Sequence, residues 1–129
     1  MKKKIGIHWF RNDLMTIDNP SLNHLSRNYD NVLGVYIFDE VNIDPKLGSA
    51  SKVWLNHSLK YLKKQLNGNL IILKGNPKEC LDELINFFDV QEVSWNRCYE
   101  PWIIKRDKSL KIYLNEKIKV NSFNGSLLW

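Results

Sequence analysis

The sequence predicts an α/β fold, a doubly wound, five-stranded parallel sheet with helices on both faces. Five short apolar runs rich in β-branched and aromatic residues recur along the chain, and each has the length of a strand. Stretches with helical periodicity lie between them, which is the order of elements typical of a parallel sheet. Most of the runs are continuously apolar, as expected for strands that are covered by helices on both faces.

The predicted strands account for one domain over residues 1–129. They are Ile5–Phe10, Val32–Phe38, Leu70–Leu73, Val90–Trp95 and Ile118–Phe123. Right-handed crossovers between these strands give the doubly wound arrangement. A chain of this length buries roughly two thirds of the surface that it exposes when unfolded, which is enough for a single core.

The first two predicted helices have clear boundary signals. Asn19-Pro20 begins a short helix that carries Leu22 and Leu25. The second helix has leucines at i, i+4, i+7 and i+11 on one face and lysines on the other, and Gly68 supplies its left-handed stop. The leucines are Leu55, Leu59, Leu62 and Leu66, and the lysines are Lys52, Lys60, Lys63 and Lys64.

The third helix begins with a capping box, Asn76-Pro77-Lys78-Glu79. The Asn76 side chain accepts a backbone N–H, Pro77 occupies the first helical position and Glu79 reaches back. Its buried stripe is Leu81, Leu84, Ile85 and Phe88. A fourth helix begins at Pro101 and runs to about Glu116, with a less regular stripe, and residues 39–51 form a loop.

The composition is that of an ordinary globular domain, with 43% hydrophobic and 26% charged residues. These values exclude disordered, collagenous and membrane-spanning classes. Cys80 and Cys98 have no partners at metal-ligand spacing, and no long apolar run follows the N-terminal lysines. We therefore expect a soluble, reduced, cytoplasmic protein that needs neither a metal nor a disulfide.

The net charge of +5 comes from 19 Lys and Arg against 14 Asp and Glu. This is a moderate positive field, weaker than that of a dedicated nucleic-acid-binding arm, and lysines scattered over an ordinary surface also produce it. It predicts general electrostatic steering and, at most, weak and salt-sensitive binding to DNA.

The predicted ligand site lies beyond the carboxyl ends of the strands, where strand order reverses. Arg11-Asn12-Asp13 follows the first strand, and residues 96–102 follow the fourth. If these strands are neighbours, the two segments flank one crevice, and their polar and aromatic groups suit a flat heteroaromatic ligand. Alternatively, Arg11, Asp13 and Glu100 pair with one another or cap helices.

Several enzyme classes lack their motifs in this sequence. Arg11-Asn12-Asp13 stands where a nicotinamide dehydrogenase has its glycine-rich turn. There is no Walker A loop and no G-x-S-x-G elbow. His8, His24 and His57 are not spaced as metal ligands or as part of a triad, so we expect structural or solvated roles for them.

Four sequence segments form a recognisable ordered pattern. They are His8–Leu14 with Asp18–Leu22, Gly48–Leu55 with His57–Leu59, Trp95–Arg97 with Tyr99–Trp102, and Asn124–Trp129. Together they resemble the N-terminal domain of bacterial members of the DNA photolyase/cryptochrome family. The resemblance spans nearly the whole chain and implies the same Rossmann-like fold.

The resemblance also implies a role in light harvesting. In the family, this domain holds an antenna chromophore, a folate or a deazaflavin, which passes excitation energy to FAD in a larger helical domain. There the reduced flavin donates an electron to a cyclobutane pyrimidine dimer flipped out of damaged DNA. The helical domain is absent here, so by analogy this chain alone neither binds FAD firmly nor repairs DNA, and it contains no catalytic residue.

The position of each residue in the family fold predicts the lining of the antenna pocket. Each lies at or just beyond the carboxyl end of a strand or at the start of the following helix. The predicted lining residues are Arg11, Asp39, Lys52, Glu100 and Trp102.

Two positions depart from the family pattern. Met15 replaces an arginine that commonly follows the Asp-Leu pair, which changes a contact with the partner domain. Trp102-Ile103 stands where some folate-binding members have Asn-Glu, so the identity of the antenna stays open.

The last residues of the sequence are strongly apolar. Ser126-Leu127-Leu128-Trp129 ends on three large apolar side chains, each of which forgoes roughly 1.5–3 kcal/mol if left in water. We expect the protein to continue beyond them, and the fragment to self-associate through them, unless the tail folds back on its own core.

Two alternative functions are a cryptochrome-type blue-light receptor and a free-standing module that binds a nucleotide or a protein.

Overall fold

The structure of the chain is a computed structural model that describes residues 5–11, 16, 19–38, 49–97 and 101–123. Within these ranges the side chains of residues 49–56 and 102 are not described. The strands are β1 (Ile5–Phe10), β2 (Asn31–Phe38), β3 (Leu70–Lys74), β4 (Val90–Asn96) and β5 (Lys119–Phe123). The helices are α1 (Pro20–Asn28), α2 (Ser49–Gln65), α3 (Pro77–Phe88) and α4 (Pro101–Asn115).

The predicted fold is confirmed. The five strands form one parallel sheet in the order β3-β2-β1-β4-β5, and the strand bounds agree with the predicted ones to within one residue. Strand β1 pairs with β2 on one side and with β4 on the other, with Ile7 opposite Val93 and His8 opposite Ser94. The strand order therefore reverses between β1 and β4, where a doubly wound sheet binds its ligands.

Helices cover both faces of the sheet. On one face α3 and α4 bury the larger core, which includes Trp9, Leu81, Trp95 and Leu114. On the other face, residues of α1 and α2 pack with Phe10 in a smaller cluster, and Leu59 and Leu62 of the predicted α2 stripe are buried there. None of the helices in the described ranges is long and apolar enough to cross a lipid bilayer.

The predicted helix starts are confirmed by their caps. The Asn19 side chain accepts a hydrogen bond from Leu22 N at 3.0 Å, with Pro20 at the first position of α1. The Asn76 side chain accepts from Lys78 N at 2.8 Å, with Pro77 in the same role in α3. Each cap satisfies a backbone donor that the helix itself leaves unpaired, which is typically worth about 1 kcal/mol.

The end of α2 combines two left-handed residues. Gly68 has φ of +85°, as its predicted stop role requires, and Asn67 precedes it with φ of 55°. Gly68 N donates to Lys63 O at 2.9 Å and Asn67 N to Lys64 O at 3.2 Å. This pair of hydrogen bonds is a Schellman motif, which satisfies the last carbonyl groups of the helix and turns the chain into β3.

Candidate functional site

A pocket of about 390 Å³ lies at the carboxyl ends of β4 and β5, beside α4. Its volume falls at the lower end of the range of small-molecule sites. It lies at the carboxyl edge of the sheet, where the sequence predicts ligand binding, but its described lining comes from the end of β4, from β5 and from α4, one strand away from the predicted crevice between β1 and β4. The lining residues are Trp95, Arg97, Ile104, Asp107, Lys108, Lys111 and Ser122.

Trp95 lines this pocket and packs against a second tryptophan, Trp9, in the core. Trp9 and Trp95 lie on the neighbouring strands β1 and β4, and both side chains belong to the core under α3 and α4. Their rings meet edge to face with centroids 5.4 Å apart, a geometry that aromatic pairs prefer. Trp95 is buried, so its ring is held in place and presents a fixed aromatic edge to the pocket.

Two cations converge on one hydroxyl group at the mouth of the pocket. Arg97 Nε donates to Ser122 Oγ at 3.1 Å, and Lys111 Nζ donates to the same oxygen at 3.3 Å. Lys108, one turn earlier on α4, is exposed and lines the same pocket. The three positive side chains favour an anionic group on any ligand that enters, because opposite charges attract most strongly where solvent is partly excluded.

The carboxylate in the pocket wall is already neutralised. Arg11 Nη2 lies 2.6 Å from Asp107 Oδ2, and Arg106 Nη2 lies 3.4 Å from Asp107 Oδ1. Both guanidinium groups also lie over the Trp9 ring, at 4.8 and 5.2 Å from its centroid. Two arginines therefore balance one buried aspartate, and the net charge of the described pocket residues and their partners is positive.

Of the five predicted lining residues, Arg11 is the one whose backbone and side chain are both described. Arg11 lies at the carboxyl edge, is buried, and forms an ion pair with Asp107 of α4, a partner that was not predicted from the sequence. Lys52 and Trp102 lie in the first turns of α2 and α4, but their side chains are outside the described part.

The remaining predictions from the sequence fall outside the described residues. They concern Asp13, Met15, Asp39, Cys98, Glu100 and the terminal segment Asn124–Trp129. The role of the five predicted residues as antenna ligands stays a prediction.

A buried polar network connects β1, β4 and the start of α1, and sequence reasoning did not identify it. His8 Nδ1 lies 2.7 Å from Ser21 Oγ, and Ser21 Oγ is also hydrogen-bonded to Ser94 Oγ. Asn19 Nδ2 lies 3.3 Å from His8 Nε2, and Asn96 Nδ2 donates to Asn19 Oδ1 at 2.7 Å. When the Asn19 amide donates to His8 Nε2, the ring proton of His8 resides on Nδ1. Each group of this hydrogen-bond network then has a partner of the right kind.

This network is structural. His8, Ser21 and Ser94 are fully buried, so the Ser–His pair offers no access to a substrate. The Asn96 side chain also accepts from Ser21 N at 3.1 Å, which anchors the first turn of α1 to the end of β4. The network thus fixes the switch point between β1 and β4, in agreement with the structural role expected for His8.

A second polar group lies on the same face of the sheet, around the buried Glu92 of β4. Tyr29 donates to Glu92 Oε1 at 2.7 Å, and Asn121 Nδ2 donates to Oε2 at 2.7 Å. His24 Nε2 lies 2.8 Å from Oε2. Burial of the Tyr29 hydroxyl, together with its hydrogen bond to Glu92 and the charge of that carboxylate, raises the pKa of Tyr29 to about 12.

Most of the pocket lining was not predicted from the sequence, for an identifiable physical reason. The rule that points to the carboxyl ends of strands selects loops, whereas Asp107, Lys108 and Lys111 lie on the body of α4. Their spacing places Lys111 one turn after Asp107 and Lys108. Combined with Ser122 in the neighbouring strand, that spacing is the signal that could have identified this wall of the pocket.

Comparison with known proteins gives a consistent picture. The chain matches the family model described as DNA photolyase over residues 6–129. It is 38% identical to a deoxyribodipyrimidine photo-lyase from Agrobacterium fabrum, over 95% of this chain and 26% of that protein. It is 34% identical to cryptochrome-2 of Arabidopsis thaliana, over 100% of this chain and 22% of that protein. The chain therefore spans about a quarter of the length of these relatives.

Solved structures agree with the sequence comparison. A bacterial class III photolyase from Agrobacterium tumefaciens superposes with a TM-score of 0.89 at 35% identity, over 100% of this chain and 27% of that one. An archaeal photolyase from Sulfolobus tokodaii superposes with a TM-score of 0.80 at 26% identity, over 93% of this chain and 29% of that one. The archaeal structure contains two FAD molecules and is described as implying a novel light-harvesting cofactor.

Proposed function

The chain belongs to the DNA photolyase family, and from this membership we propose that it is the light-harvesting domain of an enzyme that repairs cyclobutane pyrimidine dimers in DNA. Because it spans about a quarter of its relatives, we assign FAD, the lesion and the chemical step to the remainder of a longer protein. This chain alone is then inactive in repair, and its own task is to hold an antenna chromophore.

The single observation that carries the proposal is the positively charged, tryptophan-floored pocket at the carboxyl edge of the sheet. An antenna chromophore supplies absorption of light and transfer of the excitation energy to the flavin. Such chromophores are flat heteroaromatic molecules, and a folate also carries carboxylate groups. Trp95 and Ile104 offer apolar contact to a ring, and the three cations of the pocket suit a carboxylate, so the residues present fit a folate well.

Each pocket residue has a definable task in this proposal. Arg97 and Lys111, already converging on Ser122, bind the anionic end of the chromophore and orient it. The ion pair between Arg11 and Asp107 holds α4 against the end of β1, so the pocket keeps its width. A contribution of Asp39, Lys52, Glu100 and Trp102 to chromophore binding stays a prediction from the sequence. A deazaflavin, or a flavin as raised by the S. tokodaii structure, is the alternative chromophore.

A cryptochrome-type photoreceptor is the second candidate function, favoured by the identity to Arabidopsis cryptochrome-2. Both functions use the same antenna domain, and the difference lies in the chemistry of the remaining protein. Light-dependent loss of cyclobutane dimers by the full-length protein supports the repair function. A full-length protein that binds flavin and responds to blue light without removing dimers supports the receptor.

The pocket is tested by titrating this chain with a reduced folate and with a deazaflavin while ligand fluorescence is recorded. We expect saturable binding that weakens at least about tenfold in Lys108→Gln/Lys111→Gln, because even one charged hydrogen bond to a carboxylate is worth about 1.5–3 kcal/mol. The matched control is Lys105→Gln/Lys119→Gln, which removes the same charge from exposed positions outside the pocket. Equal weakening in both variants, or no saturable binding of either ligand, would count against the site.

A further inference from the structure

The positive charge of this chain is concentrated in one segment. Residues 45–78 contain seven lysines and no aspartate or glutamate, whereas the rest of the chain has 12 basic and 14 acidic side chains. The segment therefore accounts for the whole excess of positive charge. It includes α2, β3 and the start of α3, and α2, which lies on the sheet face opposite α3, carries four of the seven lysines.

Three lysines in the second half of α2 point away from the core. Leu59 and Leu62 are buried against the sheet, while Lys60, Lys63 and Lys64 are exposed on the opposite side of the helix. Within the described ranges, no carboxylate lies within ion-pair distance of these three lysines. Lys117, by comparison, pairs with Asp82 at 2.7 Å. We call the surface formed by Lys60, Lys63 and Lys64 the α2 lysine face.

Helix stability alone does not account for this arrangement. Lys63 and Lys64 lie in the last turn of α2, where the helix dipole favours positive charge. Lys60 precedes that turn, and Lys52 lies in the first turn, where the dipole disfavours a cation. Lys60 and Lys64 are also separated by four residues, a spacing at which like charges repel each other on a helix. Such uncompensated repulsion is what a surface built for a polyanion shows.

We propose that the α2 lysine face is a contact surface for the phosphate backbone of duplex DNA, an inference that rests on the proposed role in DNA repair. Lysine ammonium groups bind phosphates as point charges, independently of base sequence. The contact supplements lesion recognition, which the proposed function assigns to the rest of the longer protein. It draws damaged and undamaged duplex to the enzyme alike.

Other polyanions fit the surface less well. An amphipathic helix that binds a membrane inserts its apolar face into the lipid, but the apolar side of α2 is buried against the sheet. A protein interface requires an apolar or aromatic centre, and on this part of α2 the exposed aromatic ring is Tyr61 alone among the described residues. Backbone phosphates require only closely spaced positive charge, which is what the face provides.

The test measures binding of this chain to an undamaged 20-base-pair duplex by fluorescence anisotropy between 50 and 200 mM salt, in the dark and without chromophore. If three lysines each neutralise a phosphate, the affinity falls about 40-fold over this range. Lys60→Gln/Lys64→Gln lowers the slope of log affinity against log salt by about 2. The affinity of this variant then falls only about threefold to fourfold over the same salt range.

The control is Lys105→Gln/Lys119→Gln, which removes the same charge from exposed positions on α4 and β5 and leaves the slope unchanged. Thermal unfolding of both variants checks that they are folded. An equal loss of slope in the control, or binding of polyglutamate as tight as that of the duplex, would overturn the proposal. The measurement requires neither light nor chromophore, so its failure is distinguishable from failure of the antenna function.

Discussion

The two faces of the sheet at β1 and β4 differ in what they bury. The face under α3 and α4 buries apolar side chains, with Trp9 and Trp95 at its centre. The face under α1 buries a polar group of His8, Glu92 and Ser94 beside the smaller apolar cluster around Phe10. Alternate residues of the same strands build both faces, so one strand serves a packed core on one side and a hydrogen-bond network on the other.

The difference shows how each face is stabilised. The apolar face gains free energy from burial and tolerates some rearrangement of volume. The polar face gains little net free energy, but an unpaired buried donor or acceptor is costly, so its register and partners are strictly specified. We infer that the polar face fixes the position of α1, while the apolar face supplies most of the stability and the floor of the pocket.

The largest predicted effect is on the apolar face. Trp95→Ala removes a fully buried ring and its contact with Trp9, so the free energy of unfolding falls by about 3–5 kcal/mol. Urea denaturation measures the loss. Phe87→Ala is the matched control because Phe87 is highly exposed, and we expect less than about 0.5 kcal/mol there. A similar loss in both variants would mean that burial at Trp95 does not determine stability.

An intermediate effect is expected on the polar face. Asn96→Ala leaves Ser21 N without its acceptor and removes the donor to Asn19 Oδ1, which costs about 1–3 kcal/mol. The exposed Asn86 on α3 provides the control Asn86→Ala. Hydrogen exchange of the α1 amides should increase in Asn96→Ala and not in the control. Unchanged protection of α1 would contradict the role given to this network.

The smallest predicted effect concerns alkaline pH. The pKa of Tyr29 is about 12 when folded and near 10 when unfolded, so its contribution is fully present below pH 10 and is lost between pH 10 and 12. The partly exposed ring is screened by solvent, so we expect a loss of about 1 kcal/mol over this range. Tyr29→Phe should flatten this part of the stability profile, and an unchanged slope would show that other groups control it.

Much of the fold followed from local signals in the sequence. Apolar runs located the strands, and the Asn-Pro pairs at residues 19–20 and 76–77 located two helix starts, because both signals depend on neighbouring residues. Strand β4 differs from the continuously apolar strand that we expected. Its Glu92 and Ser94 are polar and yet buried, since partners from α1 and β5 satisfy them. Such partners are distant in sequence and leave no local signal.

The candidate site was predicted only in outline. The adjacency of β1 and β4 and the edge at which ligands bind followed from the fold class. The partner of Arg11 did not, because Asp107 lies far along the chain and approaches only when α4 packs beside the sheet. Arg97, Lys111 and Ser122 likewise converge from three separate elements.

The most direct test of the light-harvesting role is the action spectrum of dimer repair by the full-length protein. We expect a band from the antenna chromophore in addition to that of the flavin, and Lys108→Gln/Lys111→Gln should reduce the antenna band and leave the flavin band unchanged. An action spectrum that follows flavin absorption alone in the unmodified protein would contradict the account.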